Sequence, residues 1–280
     1  MKRIILLCLV LIQSALLLAV FDDYQPSARA RGFGGAYTAV SDDANAMFYN
    51  PAGLTATKFG VKLGFSNLYN QEFSEMKTAA VGYMLPKNLG TLAIGARMMD
   101  VDFEDVSLMS EQIWSIAHGI TLVKDIHSEI SFGYTGNFYN LGMDDEGDAS
   151  AFGLDLGVLA QLHGRTKFAF AVTNINKANM GAENQIDLPN KIALGISYLP
   201  YDKVTTSIEV KKDFAKETEF MGGVEARLFE PLAIRFGVHQ NPALYNAGAS
   251  FYIDNVEVDY SYSYHSVLPA THYFNLGYKF

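Results

Sequence analysis

Histidines and carboxylates are the residues of this chain that could carry out chemistry, but their spacing argues against a catalytic or metal site. Six histidines occur among 280 residues, and none lies in a His-Glu-x-x-His sequence or a comparable metal-binding pattern. No nucleophile elbow accompanies the serines. We therefore predict that the protein is not an enzyme and uses no metal and no cofactor. The histidines are His118, His127, His163, His239, His265 and His272.

An acidic run and a single cysteine are the other chemically notable features. Residues 144–148 read Asp-Asp-Glu-Gly-Asp and could bind a divalent cation through oxygen ligands, but they lack the calcium-loop pattern. We predict a solvated loop instead. Cys8 lies in an N-terminal apolar run, so a chain without that run has no thiol for a disulfide or for catalysis.

Closely spaced glycines distinguish residues 27–54, which lack the alternation of apolar and polar residues that fills most of the later sequence. Gly32, Gly34 and Gly35 predict a turn where two backbone segments approach closely. A Gly-x-Gly-Gly sequence could also bind phosphate. No strand precedes it and no Gly-Lys-Ser/Thr follows, so we do not expect a nucleotide site.

A short helix is predicted directly after this turn. Ser41 has the residue type of a helix N-cap, and Asp42 and Asp43 follow in the first turn, where the helix dipole favours negative charge. The helical run over residues 43–48 must end soon after, because Pro51 disfavours the α conformation of the residue before it.

The first residues have the composition of a secretory signal. Residues 1–3 are Met-Lys-Arg, and an apolar run extends from residue 4 to residue 21. A retained membrane anchor is the alternative, because the run is nearly long enough to span a bilayer as a helix. We favour cleavage near Ala19, since Gln13 and Ser14 interrupt the run.

Alternating apolar and polar residues fill the sequence from residue 59 onward. This alternation predicts about fourteen strands, the even number usual for single-chain outer-membrane barrels. Short turns alternate with longer connections, which we place at residues 67–77, 100–110, 140–150 and 174–190. No later stretch could cross a membrane as a helix, so we predict an all-β fold: a transmembrane antiparallel β-barrel.

Composition agrees with an apolar exterior. Charged residues make up 18% of the chain and aromatic residues 13%, whereas a soluble domain contains about 25% charged residues. The formal net charge is -9. We therefore expect no nucleic-acid partner, because phosphate binding requires a basic surface.

Charges of both signs occupy the polar faces of the predicted strands. Because the apolar face of such a barrel contacts lipid and the polar face lines the lumen, we predict a paired network around an internal plug. His118 instead falls on the lipid face, and a bulge at residues 117–119 is one explanation. The predicted network residues are Arg97, Asp155, Glu209, Glu225, Arg227 and Arg235.

The glycine turn, the acidic cap and an Asn-Pro-Ala-Gly sequence, in this order, resemble the N-terminal region of the FadL-like outer-membrane barrels. The chain reads Ala-Arg-Gly-Phe-Gly-Gly-Ala over 30–36, Ser-Asp-Asp-Ala over 41–44 and Tyr-Asn-Pro-Ala-Gly-Leu over 49–54. The Asn-Pro-Ala core is shared with the fatty-acid transporters, and the preceding pieces are more similar to the branch that includes PorV and PorQ.

The N-terminal composition predicts a signal peptide (1–21). The resemblance and the strand pattern divide the rest into a small N-terminal helical plug in the lumen (22–56) and an outer-membrane barrel (57–280). The resemblance implies location in the outer membrane of a Gram-negative-type bacterium, in contact with lipid and lipopolysaccharide. The terminal Phe280 resembles the recognition signal of the barrel assembly machinery. The plug and gating residues would be Gly32, Gly34, Gly35, Asp42, Asp43, Asn50, Pro51 and Ala52.

Two functions follow from the resemblance. The FadL-like reading implies transport of hydrophobic small molecules across the outer membrane through a plugged barrel. The PorV/PorQ reading implies a component of type IX secretion, with a secreted protein as partner. The predicted outer connections are modest beside the extended loops of the fatty-acid transporters, which argues against a high-affinity capture site.

Overall fold

Fourteen strands of the described chain form a closed antiparallel barrel, and two short strands, β8 and β9, pair separately as a ribbon. The structure is a computed structural model that describes residues 21, 25–71, 73–103, 106–143, 147–181 and 185–280. The strands are β1 Phe59–Asn67, β2 Ser74–Met84, β3 Thr91–Phe103, β4 Val106–Lys124, β5 Ser128–Met143, β6 Gly147–Leu162, β7 Thr166–Thr173, β8 Asn179–Met180, β9 Ile186–Asp187, β10 Lys191–Tyr201, β11 Val204–Asp213, β12 Thr218–Phe229, β13 Leu232–Gln240, β14 Leu244–Ile253, β15 Val256–His265 and β16 Thr271–Lys279.

The first and last strands close the barrel. β1 pairs with β16 from Gly60 opposite Lys279 to Asn67 opposite His272, and the Phe280 amide donates to the Phe59 carbonyl at 3.1 Å. Neither strand is therefore a free edge. The predicted fold class, a closed antiparallel barrel of about fourteen strands, is confirmed.

Strand periodicity sorts the side chains between the two faces of the wall, as the alternation predicted. On β13, Phe236 and Val238 point outward and are more than half exposed, whereas Arg235 and Gly237 point into the lumen. Other strands show the same sorting. Large apolar side chains on the outside include Leu63, Ile94, Ile116, Phe152, Leu194, Ile208, Tyr245, Phe251 and Leu276.

The barrel has two distinct ends. At one end, which we call the turn end, short connections such as residues 125–127 and 254–255 lie beside the start of β1 and the end of β16. We call the opposite end the loop end. Its longest connection in the described chain, between β7 and β10, contains the β8–β9 ribbon.

The predicted long connections at 100–110 and 140–150 are wrong, because β3 to β6 continue through them. β3 ends at Phe103 and β4 begins at Val106. β4 has 19 residues, whereas β13 has 9. Polar side chains on the outer face, such as Asp100 and the Ser110 hydroxyl that bonds to it at 2.9 Å, gave these segments the composition of loops. They form a taller wall on one side of the loop end.

Residues 25–56 lie inside the barrel, toward the turn end, and we call them the plug. They contain helix α1 (Ala28–Gly32) and two 3₁₀ helices, Ala44–Phe48 and Pro51–Ala56. A further 3₁₀ turn, Leu68–Asn70, follows β1. Among the described residues, no helix is long and apolar enough to cross a membrane.

The N-cap residue of one plug helix differs from the predicted one. Asp43, not Ser41, caps the 3₁₀ helix Ala44–Phe48, and its carboxylate accepts from the Asn45 amide at 2.9 Å. The Ser41 hydroxyl instead donates to the Thr38 carbonyl at 3.4 Å. Both residue types can cap a helix, so the sequence alone did not distinguish them.

His118 does face outward, and no bulge occurs at residues 117–119. The register is regular there and shifts instead between Thr121 and Val123. The imidazole Nε2 of His118 lies 2.6 Å from the Leu89 carbonyl of the neighbouring turn. This hydrogen bond satisfies the polar ring near the turn end, so the bulge interpretation is wrong.

Candidate functional site

Apolar side chains cover the inner surface of the taller wall. Ile113 on β4 and Tyr139 and Leu141 on β5 point inward and are buried. The Phe21 ring lies against them, with its centre 5.1 Å from that of Tyr139 in an edge-to-face arrangement. We call this region the apolar chamber. Its remaining members are Met180 and Leu188, with Met109, Met143, Ala149, Ala151, Ala178 and Ile186 at its margin.

The inner face of β5 changes character along its length. Nearer the turn end its inward residues are polar, as at Thr135 and Asn137, whereas the next two inward positions are Tyr139 and Leu141. Outside, the strand changes in the opposite sense, from Phe138 to Asn140. On β5, apolar side chains therefore face outward nearer the turn end and inward nearer the loop end.

A cavity of about 90 Å³ lies between the chamber and the plug. Phe48 and Tyr49 of the plug line it from one side, and Ile113 and Tyr139 of the chamber line it from another. Pockets that enclose drug-sized ligands have volumes of about 300–1,000 Å³. As it stands, the cavity fits only a small molecule. Charged residues also reach its wall: Arg97, Asp155, Lys191, Glu209 and Lys211.

The carboxylates at this cavity hold parts of the protein together. Asp155 accepts from the Asn137 side chain and from the Asn174 amide, each at 2.7 Å. Glu209 accepts from the Thr38 amide of the plug at 2.8 Å. These hydrogen bonds fix the loop after β7 and the plug.

Ion pairs join the first part of the plug to β12, and the same network continues through the wall to β13 and β15. The Arg29 guanidinium donates to both oxygens of Glu225, at 3.0 and 3.1 Å, and also to Asp42. Arg235 contacts the same Glu225 carboxylate and lies 3.7 Å from Asp259. Burial alone would lower the pKa of Arg29, but the carboxylates of Asp42 and Glu225 outweigh it and hold that pKa above its ordinary value.

A second group of ion pairs surrounds a buried lysine of β1. The Lys62 ammonium lies 2.8 Å from Glu257, 3.0 Å from Asp259 and 3.6 Å from Asp43. Burial raises the pKa of the Asp43 carboxyl, although Lys62 opposes this effect. Because Asp43 also caps a plug helix, Lys62 joins that helix to the barrel wall.

Glycines receive the middle of the plug on the other side of the barrel. Gly119, Gly133 and Gly157 are opposite one another on β4, β5 and β6. A Cβ atom on Gly119 would lie 2.6 Å from the Pro51 carbonyl oxygen, and one on Gly157 would lie 2.8 Å from the Pro51 ring. A Cβ on Gly133 would collide with the Pro51 backbone. We call these three residues the glycine seat.

Asn50 connects the plug to itself and to the wall. Its side-chain amide donates to the Thr38 carbonyl at 3.0 Å and to the Val158 carbonyl of β6 at 3.1 Å. Its side-chain oxygen accepts from the Ala52 amide at 3.1 Å. The amide side chain thus fixes the position of the Asn-Pro-Ala sequence by three hydrogen bonds.

The structure places the predicted plug glycines at contacts with the wall, whereas Asp42 pairs with Arg29 inside the plug. Gly34 and Gly35 have φ angles of 69° and 89°, which favour glycine. A Cβ atom on Gly34 would lie 2.6 Å from the Val238 carbonyl oxygen, and one on Gly32 would lie 3.2 Å from the Arg235 side chain.

The predicted lumen residues do not all meet. Glu225 and Arg235 share one ionic network, whereas the Arg97 guanidinium lies 4.8 Å from the centre of the Phe48 ring. Arg227 lies apart at the turn end, where it donates to the Glu230 carbonyl and stacks on Tyr252.

Sequence reasoning missed the apolar chamber and the plug arginine Arg29. The signal for the chamber was present, because Ile113, Tyr139 and Leu141 alternate in phase with the polar inward residues that precede them. No group of three or more His, Cys, Asp and Glu residues in the described parts of the chain could hold a metal ion. Residues 144–146 of the acidic run and residues 1–20 of the predicted signal, with Cys8, lie outside the described residues.

Comparison with solved structures shows what this barrel resembles. The CymD monoaromatic hydrocarbon channel superposes with a TM-score of 0.66 over 91% of this chain and 97% of its own, at 12% identity. The Pseudomonas putida toluene transporter TodX gives 0.57 over 90% and 96%, also at 12% identity. A Pseudomonas aeruginosa FadL homologue gives 0.58 over 91% and 98%, at 9% identity.

These identities show similarity of fold. The sequence matches no protein-family model and no curated protein sequence.

Proposed function

We propose that this protein is a FadL-like outer-membrane channel for hydrophobic small molecules. The observation that carries the proposal is the apolar chamber, an inward-facing apolar surface that lies directly above a closed plug. These side chains are buried against one another and against the β8–β9 segment. An apolar ligand that enters the cavity beside them would replace some of these apolar contacts with its own, which apolar contacts tolerate.

The barrel exterior supports a location in the membrane. Outward positions such as Leu63, Ile116 and Phe236 are 49%, 62% and 57% exposed. Soluble monomers rarely expose a contiguous apolar surface of this extent, whereas a membrane barrel presents such a band to lipid. We place the turn end in the periplasm and the loop end at the cell surface, because outer-membrane barrels have their short turns on the periplasmic side.

The solved channels support the choice of ligand. CymD and TodX are described as a monoaromatic hydrocarbon channel and a toluene transporter, and the fold of this chain is similar to theirs. The N-terminal Asn50-Pro51-Ala52 sequence adds the resemblance to FadL-like proteins. In this proposal a ligand enters the chamber from the cell surface, and the plug prevents the free passage of polar solutes.

The secretion role implied by the PorV/PorQ resemblance stays a prediction. Its test is whether the purified protein binds secreted proteins that carry a type IX C-terminal sorting domain.

The transport proposal is tested by uptake in a Gram-negative host that lacks its own channels for hydrophobic compounds. Cells that produce this protein should take up labelled toluene faster than cells with an empty vector, while uptake of a labelled sugar stays at the background level. Equal toluene uptake in the two strains would contradict the proposal. So would a parallel rise in sugar uptake, which would indicate an open polar pore.

A further inference from the structure

Two histidines meet at the turn end, far from the apolar chamber. His127 lies in the turn between β4 and β5, and His163 lies in the turn between β6 and β7. Both side chains are exposed, and their ring centres are 5.3 Å apart with 32° between the ring planes. The His163 amide donates to the His127 carbonyl at 2.7 Å. This backbone bond holds the two turns, and therefore the two rings, side by side.

The separation of the rings matches that of two imidazoles on one metal ion. A metal–nitrogen bond is about 2.1 Å long, and the ring centre lies about 1.1 Å beyond the nitrogen. At a tetrahedral angle, two such ring centres are about 5.2 Å apart. The observed value therefore requires little movement of the turns, and rotation of exposed side chains can direct the nitrogens to a common point.

The surrounding charges leave this position open to a cation. The Lys124 ammonium lies 2.8 Å from the Glu129 carboxylate. The Arg165 guanidinium, in the same turn as His163, lies 3.7 Å from Asp202 in the next turn. The two basic side chains flanking the histidines are thus directed to carboxylates, and Asp125 adds a negative charge two residues before His127.

We propose that His127 and His163 form a two-histidine site for a divalent transition-metal ion at the turn end of the barrel. Neutral imidazole suits Zn²⁺ and Cu²⁺, and affinity for nitrogen ligands rises to Cu²⁺ in the Irving–Williams order. Water molecules would complete the coordination. Because the two ligands come from separate hairpins, a bound ion would also join the β4–β5 turn to the β6–β7 turn.

The test is a titration of the purified full chain, without a histidine tag, with Cu²⁺ and with Zn²⁺ in a buffer that does not bind metals. We expect one saturable site per chain, with Cu²⁺ tighter than Zn²⁺. Removal of either ring, in His127→Ala or His163→Ala, should weaken binding at least about tenfold, because the second ligand acts at high effective concentration. His265→Ala, at the loop end, is the matched control and should leave the affinity unchanged.

Electron paramagnetic resonance of the Cu²⁺ complex provides a second measurement. The spectrum should show two coordinated imidazole nitrogens in the wild-type protein and one in each single variant. Migration of the folded band on unheated gels checks that the variants keep their fold. Absence of saturable Cu²⁺ binding, or equal affinity in wild type and His127→Ala, would overturn the proposal. Toluene uptake is measured separately, so a failure here leaves the transport proposal unaffected.

Discussion

The plug and the wall residues that contact it, which together we call the plug layer, occupy one half of the barrel, and the apolar chamber occupies the other. The two are built from opposite kinds of contact. In the plug layer, backbone lies against backbone at Gly133, and the buried charge of Lys62 is paired with carboxylates. In the chamber, Phe21, Tyr139 and Leu141 meet through apolar and ring contacts. Directional and close contacts specify one arrangement, whereas apolar contacts tolerate a change of partner.

This difference separates two kinds of effect. A substitution in the plug layer should change the stability of the folded barrel, because it disturbs a close backbone contact or leaves a charge unpaired. A substitution in the chamber should change ligand uptake while the barrel stays folded. Four predictions test this separation, beginning with the largest expected effect.

The glycine seat should be the position least tolerant of added atoms. In Gly133→Val the new side chain would collide with the backbone at Pro51. Overpacking typically costs about 1–3 kcal/mol and occasionally more, and we expect a cost above this range because the obstacle is backbone rather than a flexible side chain. We expect loss of the folded band on unheated gels or displacement of the plug. Two alanine variants give a milder comparison. Gly133→Ala should show a clear loss of stability. Gly136→Ala, on the outer face of the same strand, meets only the Phe152 ring at 3.3 Å and should fold normally.

Removal of the buried lysine should have the next largest effect. Lys62→Met leaves Glu257, Asp259 and Asp43 without their shared cation, and breaking a buried ion pair costs about 3–5 kcal/mol. Urea unfolding in phospholipid vesicles measures this loss. Lys77→Met is the control, because the pair of Lys77 with Glu75 is largely exposed and should contribute about 0–1 kcal/mol. Equal losses in the two variants would show that the buried ion pairs of Lys62 do not stabilise the barrel.

A polar group in the chamber should reduce transport without unfolding the protein. Leu141 is 3% exposed, and Leu141→Asn places an amide against apolar neighbours and against the ligand. An unpaired buried amide costs about 1–3 kcal/mol. The share of this cost that falls on ligand binding should lower toluene uptake up to about tenfold, and the share that falls on the fold is measured by the folded band on unheated gels. Leu108→Asn changes an outward-facing residue of β4 that is 49% exposed and should leave uptake unchanged. An equal loss in both variants would argue against the chamber as the ligand site.

The smallest effect is expected at the N-terminal side of the chamber. Phe21 belongs to the mature chain when the signal is cleaved near Ala19, ahead of the predicted boundary at residue 21. Phe21→Ala then removes the ring that packs on Tyr139 and leaves space for a larger ligand. We expect uptake of naphthalene to rise a few-fold relative to toluene, with little change in barrel stability. A fall in uptake of both compounds would indicate that Phe21 forms a necessary wall of the site rather than an occupant of it.

Strand number and closure could be predicted because each strand carries a local signal. Outward residues such as Phe236 and Val238 alternate with inward Arg235 and Gly237, and lipid and lumen impose this pattern on every strand. The extent of β3 to β6 was not predictable in the same way. Beyond the apolar band the outer face of a strand no longer contacts lipid. Polar residues can occupy the outward positions there, and the sequence then has the composition of a loop.

The plug and chamber depend on contacts between distant parts of the chain. Asp43 rather than Ser41 became the cap, and Asp43 is the one that lies near Lys62. The chamber requires Phe21 to reach Tyr139, and the Phe21 amide donates to Glu111 at 3.1 Å. Such pairings carry no periodic signal in a single sequence. The glycine and Asn-Pro-Ala sequences indicated where the plug lies but not what holds it.

The most direct test of the proposed ligand site is a crystal structure of the detergent-solubilised protein soaked with bromobenzene. Bromine can be located by its anomalous scattering. The proposed function predicts a bromine peak inside the apolar chamber, in contact with Ile113, Tyr139 and Leu141, with the plug still seated on Gly133. Bromine that binds elsewhere in the lumen, or a chamber that stays unoccupied at saturating ligand, would contradict it.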